Sequence, residues 1–429
     1  MTLLESMEAI ALIDGNNFYA SCEQSINPSL RKKPLVILSN NDGCIIARSP
    51  EARVLGIEMG TPYFKSKKRL NQLGVIVLSS NYSLYGDMSK RLMNLLRNNC
   101  EKIEIYSIDE AFVSINRPKD NNLHNWARSL RSFIYQNLSI TITIGIAENK
   151  VKAKLANKLA KEIDQSSGII DLANIKNQDN YFKRVRVENI WGIGNQTSKW
   201  LRSKGIKNAK EFKEMNDHEV TKKLGIVGRR IQLELKGYKC LPIENTKNKK
   251  KEIRVSRSFG EPITRLEDLN QALAVYAIKA SEKMRIQNLQ TSTIVAFTRT
   301  SLYSNYNYRK SAYRNLIEPT NSTTTILKIV LELAKEIYSS EYKLAKAGVI
   351  MKNLTDYIYL QKSINYSISE KKLLKDDNLI KTIDNLNAKF NNKAITWGII
   401  KRKQNWEMNK ALISGTSTTN LEQIPTIII

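Results

Sequence analysis

The ten residues Ile105-Tyr-Ser-Ile-Asp-Glu-Ala-Phe-Val-Ser114 constrain this chain more than any other stretch. They set two adjacent carboxylates, Asp109 and Glu110, between two runs that alternate apolar and polar residues. Alternation of that kind predicts two short strands with the acids at or near their junction. An acidic pair on a rigid hairpin suits Mg²⁺, which takes oxygen ligands and keeps waters that a phosphate can displace. Asp14 offers a third carboxylate: it ends the apolar run Ala9-Ile-Ala-Leu-Ile13, and so stands at the end of another predicted strand.

Two-metal phosphoryl transfer needs carboxylates that bridge two cations about 3.5–4 Å apart. Asp14, Asp109 and Glu110 meet that need if their strands lie side by side in one sheet, with the Gly15 carbonyl as a further ligand. The plainer alternative is that Asp14 caps the helix that follows and that Asp109 and Glu110 are turn acids. The joint arrangement favours catalysis.

A chain of 429 residues holds two to four domains. Lysine and arginine outnumber aspartate and glutamate 68 to 41, a net charge of +27. That balance calls for a polyanionic partner, nucleic acid ahead of an anionic membrane. Cys22, Cys44, Cys100 and Cys240 show no paired spacing, and His124 and His218 are the only histidines. Those features argue against a zinc site and equally against a disulfide framework, and the expected location is the reducing cytoplasm. No apolar stretch is long enough to span a bilayer, and the N-terminus lacks the basic-then-apolar order of a signal peptide.

Periodicity predicts strands at 9–13, 34–39, 75–79, 102–107, 111–115 and 141–147, and helices at 17–25, 61–71, 81–98, 123–137 and 150–163. This is α/β or α+β material with a hairpin in the middle. From about 176 to 243 short helices take over, punctuated by glycines. The polar run Glu244-Asn-Thr-Lys-Asn-Lys-Lys-Lys-Glu252 reads as an exposed linker. A second mixed unit follows, with helices at 266–288 and 323–338 and strands near 291–299 and 346–352.

Several basic and glycine-rich elements suit a nucleic acid. Lys150, Lys154, Lys158 and Lys161 fall on one helix face, which is either a solvated stripe or a surface for phosphates. Trp191-Gly-Ile-Gly194, followed by a helical stretch, is the kind of turn that brings helix-start amides close to a phosphate. Leu224-Gly-Ile-Val-Gly228 is a second candidate, although glycines also cap helices for purely structural reasons. Strand Thr291–Arg299 and the Tyr303–Tyr313 stretch interleave aromatic and basic residues.

Three ordered motifs now bear on identity: Asp14-Gly-Asn-Asn-Phe-Tyr-Ala-Ser-Cys-Glu23, Ser107-Ile-Asp-Glu-Ala-Phe112 and Gly145-Ile-Ala-Glu-Asn-Lys-Val-Lys-Ala-Lys-Leu-Ala156. Together they resemble the Y-family translesion DNA polymerases. Leu38-Ser-Asn-Asn-Asp-Gly-Cys-Ile-Ile-Ala-Arg48, Ser79-Ser-Asn-Tyr82 and Ser256-Arg-Ser-Phe-Gly-Glu261 resemble the UmuC-type branch of that family. The resemblance implies an α+β right-hand polymerase. Its ferredoxin-like palm would take 1–17 and 79–175, its small fingers 18–78, and its helical thumb with a helix-hairpin-helix 176–243. A linker at 244–252, an α/β little finger at 253–352 and a C-terminal UmuC-type region at 353–429 would complete it.

Residue by residue, the resemblance makes Asp14, Asp109 and Glu110 the catalytic acids that hold two Mg²⁺ ions together with Gly15. Tyr19 falls on the steric gate, where a ring under the sugar collides with a 2′-hydroxyl; without the family it reads as a half-buried helix aromatic. Asn17, Phe18 and Tyr19 would offer backbone amides to the triphosphate, with Arg53 and Lys161 as its cations. Pro50 stands where many relatives carry a tyrosine, so one hydroxyl contact to the triphosphate is missing. Gly192, Gly194, Lys154, Lys158 and Arg257 would meet DNA. Gln361, Ile364 and Tyr366 resemble the peptide that docks bacterial polymerases on the sliding clamp.

The implied activity is error-prone, template-directed synthesis past DNA damage in the SOS response. Primer–template DNA and deoxynucleoside triphosphates are the implied substrates; a processed UmuD dimer, RecA and the clamp are the implied partners. A palm-fold cyclase or metal nuclease uses similar acids but has no need of the helix-hairpin-helix turn and second basic domain. The non-enzymatic alternative is a DNA-binding repair factor that has kept the fold and lost turnover.

Overall fold

The computed structural model describes residues 8–116, 122–244, 249–301, 303–357, 370–390, 394–400 and 406–415. In chain order its strands are β1 Glu8–Gly15, β2 Leu35–Leu38, β3 Ile45–Arg48, β4 Ile76–Ser79, β5 Lys102–Ile105, β6 Glu110–Asn116, β7 Ile142–Ala147, β8 Ile169–Asp171, β9 Ile253–Ile263, β10 Leu289–Arg299, β11 Arg309–Thr320 and β12 Leu344–Asp356. The helices are α1 Phe18–Ile26, α2 Pro50–Val54, α3 Tyr63–Gln72, α4 Tyr82–Asn99, α5 Leu123–Leu138, α6 Lys150–Glu162, α7 Asp179–Arg184, α8 Asn195–Ser203, α9 Ala209–Glu214, α10 Asp217–Leu235, α11 Leu266–Arg285, α12 Thr323–Ile337 and α13 Glu370–Lys389. Two compact units result: Met1–Ser39 with Gly43–Lys247 and Leu412–Ile429, and Asn40–Asp42 with Asn248–Ala411.

β1 organises the first unit. Its run from Ala9 to Ile13 is apolar throughout because the strand is covered on both faces, as the middle of a sheet ordered β5-β6-β1-β7-β8. Side chains alternate faces along a strand. Ala9, Ala11 and Ile13 join the core that α4 and α5 cover, whereas Ile10 and Leu12 join the core beneath α6. With α4 between β1 and β5, and α5 between β6 and β7, the order β-α-β-β-α-β is ferredoxin-like.

α6 lies unusually close to this sheet. A Cβ on Gly145 of β7 would stand 2.1 Å from the Asn157 amide nitrogen, so glycine alone fits there. Asn157 also fixes the helix with its side chain, donating to the carbonyls of Leu12 at 3.3 Å and Thr143 at 2.9 Å.

Between β1 and α4 the chain inserts a small three-stranded sheet, β3-β2-β4, with its own core of Val36, Leu38, Ile45, Ala52, Ile57, Leu70 and Val75. α1 lies at the join: Phe18, Ala20 and Cys22 share one core with Leu35, Ile37 and Ala47 of the small sheet and with Ala9, Ala11 and Ile13 of the large one. α7 to α10 follow β8 and share the core beneath α6. Glu234 of α10 accepts the Val151, Cys240 and Leu241 amides at 2.9, 3.1 and 2.8 Å, and so ties the helical segment to the start of α6.

In the second unit an antiparallel sheet, β11-β10-β12-β9, packs α11 and α12 against one face. An antiparallel sheet tolerates solvent on the other face. Arg254, Arg299 and Lys346 gather in that unit, and burial together with the charges of Arg299, Arg254 and Arg257 pulls the Lys346 ammonium below the usual lysine range. Arg254 also lies over the Phe297 ring at 5.0 Å.

The structure adds three details to the sequence reading of this part of the chain. β12 runs on to Asp356, past the expected end of its unit at 352. β11 begins only at Arg309, so the Tyr303–Tyr313 stretch is part loop and part strand. The segment after 353 is not one body: its part up to Ala411 belongs to the second unit, and Leu412 onward to the first. Among the described residues no helix is long and apolar enough to cross a membrane.

Candidate active site

Strand parity decides where the acids point. Asp14 follows Ile10 and Leu12 at two-residue steps, on the α6 side of the sheet. In the β1–β6 ladder Asp14 stands directly opposite Glu110, and Glu110 shares its face with Phe112, which lies in the core beneath α6. Like charges directly opposite each other in an antiparallel pair repel. Two lysines of α6 answer that repulsion. Lys161 Nζ donates to Asp14 Oδ2 at 2.6 Å, and Lys154 Nζ donates to Glu110 Oε1 and Oε2 at 3.2 and 3.1 Å.

Even so, Asp14 is pushed up to about 7: burial is the main cause, Lys161 opposes it, and Glu110 adds to it. A pair of hard oxygen donors that remains short of positive charge is a chemical fit for a divalent cation. The third acid is placed differently. Asp109 lies in the turn before β6, where its carbonyl accepts the Gly15 amide at 2.9 Å. Its carboxylate takes the Ser107 hydroxyl at 2.6 Å. Among the described residues no three carboxylate, histidine or cysteine side chains converge as a ready metal cage. The structure thus brings Asp14 and Glu110 together and leaves the Asp109 carboxylate on Ser107.

Ser107 went unnoticed in the sequence. Its hydroxyl oxygen also accepts the Asp109 and Glu110 amides, at 3.3 and 3.0 Å, and so shapes the turn that presents both acids. A serine two residues before an aspartate in a turn was the available signal. Asn16 is a second such residue: Thr143 Oγ1 donates to its side chain at 2.6 Å, and its carbonyl accepts Ser21 Oγ at 2.7 Å, fixing the step from β1 to α1.

Asn17 takes a left-handed conformation, φ 47°, at the N-cap of α1. The first-turn amides of Phe18 and Tyr19 therefore have no intrahelical acceptor. The Tyr19 ring is half-buried and stacks on Tyr85 at 4.4 Å and 14°, with Tyr82 edge-on at 6.0 Å. Burial, with Tyr82 and Asp109 close by, raises the Tyr19 hydroxyl above the usual phenol range.

The lysine face of α6 is not a free stripe. Lys150 pairs with Glu104 at 2.5 Å and Lys158 with Glu162 at 3.1 Å, while Lys154 also sits over the Tyr106 ring at 4.2 Å. Arg53 is exposed on α2, and Arg257 is exposed on β9 of the second unit. Gly192, at φ 86°, and Gly194, the N-cap of α8, form the expected turn, anchored where Trp191 Nε1 donates to Tyr106 Oη at 2.9 Å. A kink at Gly225, φ 64°, divides α10 at the second glycine turn. Gln361, Ile364 and Tyr366 lie outside the described residues.

The impB/mucB/samB family pattern matches residues 13–158, and the pattern of that family's C-terminal domain matches 250–364. The chain is 36% identical to Protein UmuC of Salmonella typhimurium strain LT2, over 96% of this chain and 99% of that protein. This protein belongs to the impB/mucB/samB family. Protein ImpB of Salmonella typhimurium is 33% identical, over 97% of this chain and 98% of that one. DNA polymerase IV of Bacillus velezensis is 25% identical, over 91% and 93%. Residues 377–427 match a domain of unknown function. The fold is that of the Y-family polymerases: a Y-family DNA polymerase chimera superposes with a TM-score of 0.66 at 22% identity, covering 81% of this chain and 99% of that one.

Proposed function

We propose that this DNA-directed DNA polymerase extends a primer past damaged template bases by two-metal-ion nucleotidyl transfer, as part of an SOS response. The observation that carries the reading is the pair of acids, Asp14 opposite Glu110, with Asp109 tied to Gly15, next to Asp14, by the Gly15 amide. Asp14, Asp109, Glu110 and the Gly15 carbonyl would hold two Mg²⁺ ions. When bound, these supply charge neutralisation for the triphosphate and lower the pKa of the primer hydroxyl.

The chain's own residues supply position. Lys161 is held at the acids and presents a positive charge to the incoming phosphates, and the Phe18 and Tyr19 amides at the start of α1 offer further donors. Arg53 is exposed and free to fork onto phosphate oxygens. The Tyr19 ring, braced on Tyr85, would lie under the sugar and exclude a 2′-hydroxyl. The glycine turns at Gly192 and Gly225 and the basic residues Arg254, Arg257, Arg299 and Lys346 suit backbone contact to DNA, which positions the duplex without reading its sequence. A processed UmuD dimer, RecA and the sliding clamp are the proposed partners, the last through Gln361, Ile364 and Tyr366.

Primer extension with the wild type and with Asp109→Ala/Glu110→Ala tests this reading. The double variant is expected to lose at least about 10²–10³-fold in rate, the usual cost of removing charge stabilisation. Extension that survives the change would sink the metal assignment. Absence of extension by the wild type, with clamp, RecA and UmuD present, would favour the inactive repair factor.

A further inference from the structure

The segment around Ser414 falls within the stretch that matches a domain of unknown function, and it belongs to the first unit, where it meets Ser79, Asn81 and Glu23. Ile413 bridges Ser79 in parallel; the Ser79 amide donates to the Leu412 carbonyl at 2.9 Å, and the Leu412 amide to Ser79 Oγ at 3.0 Å. Two residues further on, Asn81 Nδ2 donates to Ser414 Oγ at 3.0 Å and to the Gly415 carbonyl at 3.2 Å. Asn81 is itself the N-cap of α4, accepting the Leu84 amide at 3.3 Å. The tail is therefore joined to the helix end that carries Tyr82 and Tyr85.

A second tie reaches α1. Ser414 Oγ donates to Glu23 Oε1 at 3.0 Å, and the same oxygen accepts the Tyr85 hydroxyl at 2.8 Å. Glu23 is 2% exposed and Tyr85 fully buried. A buried carboxylate demands hydrogen-bond donors, and here two hydroxyls meet that demand. Glu23 stands four residues after Tyr19, on the same face of α1. The hydroxyl of Tyr85 is thus held by Glu23 while its ring carries Tyr19.

We propose that the C-terminal segment, through Ser414 and Glu23, sets the position of the Tyr19 ring and thereby tunes selection between deoxy- and ribonucleotides. This gives the domain of unknown function a part in sugar selection, and it rests on Tyr19 acting as the gate. Ser414, Glu23 and Tyr85 are positioning residues, since each acts through Tyr19.

The test is single-nucleotide insertion by the full chain, with its clamp and accessory subunits, comparing kcat/KM for a deoxy- and a ribonucleoside triphosphate on one primer–template. Loss of a hydrogen bond to a charged group changes an equilibrium about tenfold or more, and a part of that reaches the ring. Ser414→Ala should lower the deoxy-to-ribo ratio about threefold, through faster ribonucleotide insertion, with deoxynucleotide insertion held within about twofold. Ser414→Thr, which keeps the hydroxyl, should restore the ratio. Tyr85→Phe, which keeps the ring and loses the tie to Glu23, should mimic Ser414→Ala. In a Tyr19→Ala background neither change should have a further effect.

The failures are separable. A Tyr19→Ala variant with unchanged sugar selection overturns the gate and this inference with it. Collapse of selection in Tyr19→Ala, with Ser414→Ala and Tyr85→Phe unchanged, leaves the gate standing and overturns the role of the tail. A Ser414→Ala effect that persists without the Tyr19 ring also overturns it.

Discussion

Gly145→Ala is the substitution that best separates the geometry of this site from its chemistry, because residue 145 touches no reacting group. The new Cβ would meet the Asn157 amide nitrogen at 2.1 Å, the Ala153 carbonyl oxygen at 2.4 Å and the Ala156 carbonyl carbon at 2.7 Å. All three are helix backbone, which cannot step aside as a side-chain tip can. To restore ordinary contact α6 must retreat from the sheet by roughly 1.3 Å, in an interior packed as tightly as an organic crystal. Overpacking of this kind costs about 3 kcal/mol, or roughly 6–12 °C in melting temperature for a unit of this size. The retreat carries Lys161 away from Asp14 and Lys154 away from Glu110, contacts now at 2.6 and 3.1 Å. Misplacement by ~1 Å costs about 10²-fold in rate. Thermal melts, with single-turnover primer extension well below the melting point, give both numbers. Gly86→Ala in α4 is the matched control: its Cβ meets nothing within 4 Å, and it should stabilise the helix by about 0.5–1 kcal/mol with normal extension. A Gly145→Ala protein that melts and extends like the wild type would refute the claim that contact between α6 and the sheet sets the site.

Glu234→Ala should lower the urea midpoint by an amount equivalent to at least about 3 kcal/mol, because three inward-facing amides lose their acceptor; a loss below ~1 kcal/mol would contradict that account. Glu23 offers a pH test. Burial, against the Tyr85 and Ser414 hydroxyls, raises its carboxyl above the ordinary 4.5, so the folded state binds this proton more tightly than the unfolded chain. Its contribution is therefore most favourable below 4.5 and is lost as pH climbs through the raised folded value. Glu23→Gln should match the wild type in melting temperature at low pH and exceed it progressively as pH rises; a constant difference would contradict the assignment. In fluorescence anisotropy, Arg254→Ala/Arg257→Ala should weaken DNA binding whatever the sequence and reduce the salt slope by roughly one per arginine; an unchanged slope would remove these residues from the DNA contact.

Much of the first unit was legible because its signals are local. The apolar run of β1 and the apolar face of α4 record burial directly in their spacing, and β6 is buried on both faces from Ala111 to Ile115. β11 escaped notice because it is largely exposed, so no apolar period marks it. The lysines of α6 were placed on one helix face correctly, yet spacing within a helix cannot reveal that Lys150, Lys154 and Lys161 meet Glu104, Glu110 and Asp14. Those partners come from other strands, and only the sheet order brings them near. The return of Ser414 to Asn81 spans 333 residues and leaves no local pattern at all.

One device joins the legible part of the fold to the site. Because side chains alternate along β1, the register that buries Ala9, Ala11 and Ile13 against α4 and α5 is the register that turns Asp14 toward α6. A slip of one residue between β1 and β6 would drive Asp14 into the apolar core and face Ile13 toward Lys161. Such a slip keeps apolar side chains on both faces. What opposes it is the cost of burying the Asp14 carboxylate among apolar groups and the lost fit of Ala9, Ala11 and Ile13 in their core. The acids repel each other across that ladder, and the burial that fixes the register also raises the Asp14 carboxyl to about 7. The core thus holds together two charges that would otherwise separate, and their unmet demand for a cation is the chemical potential the site has to offer.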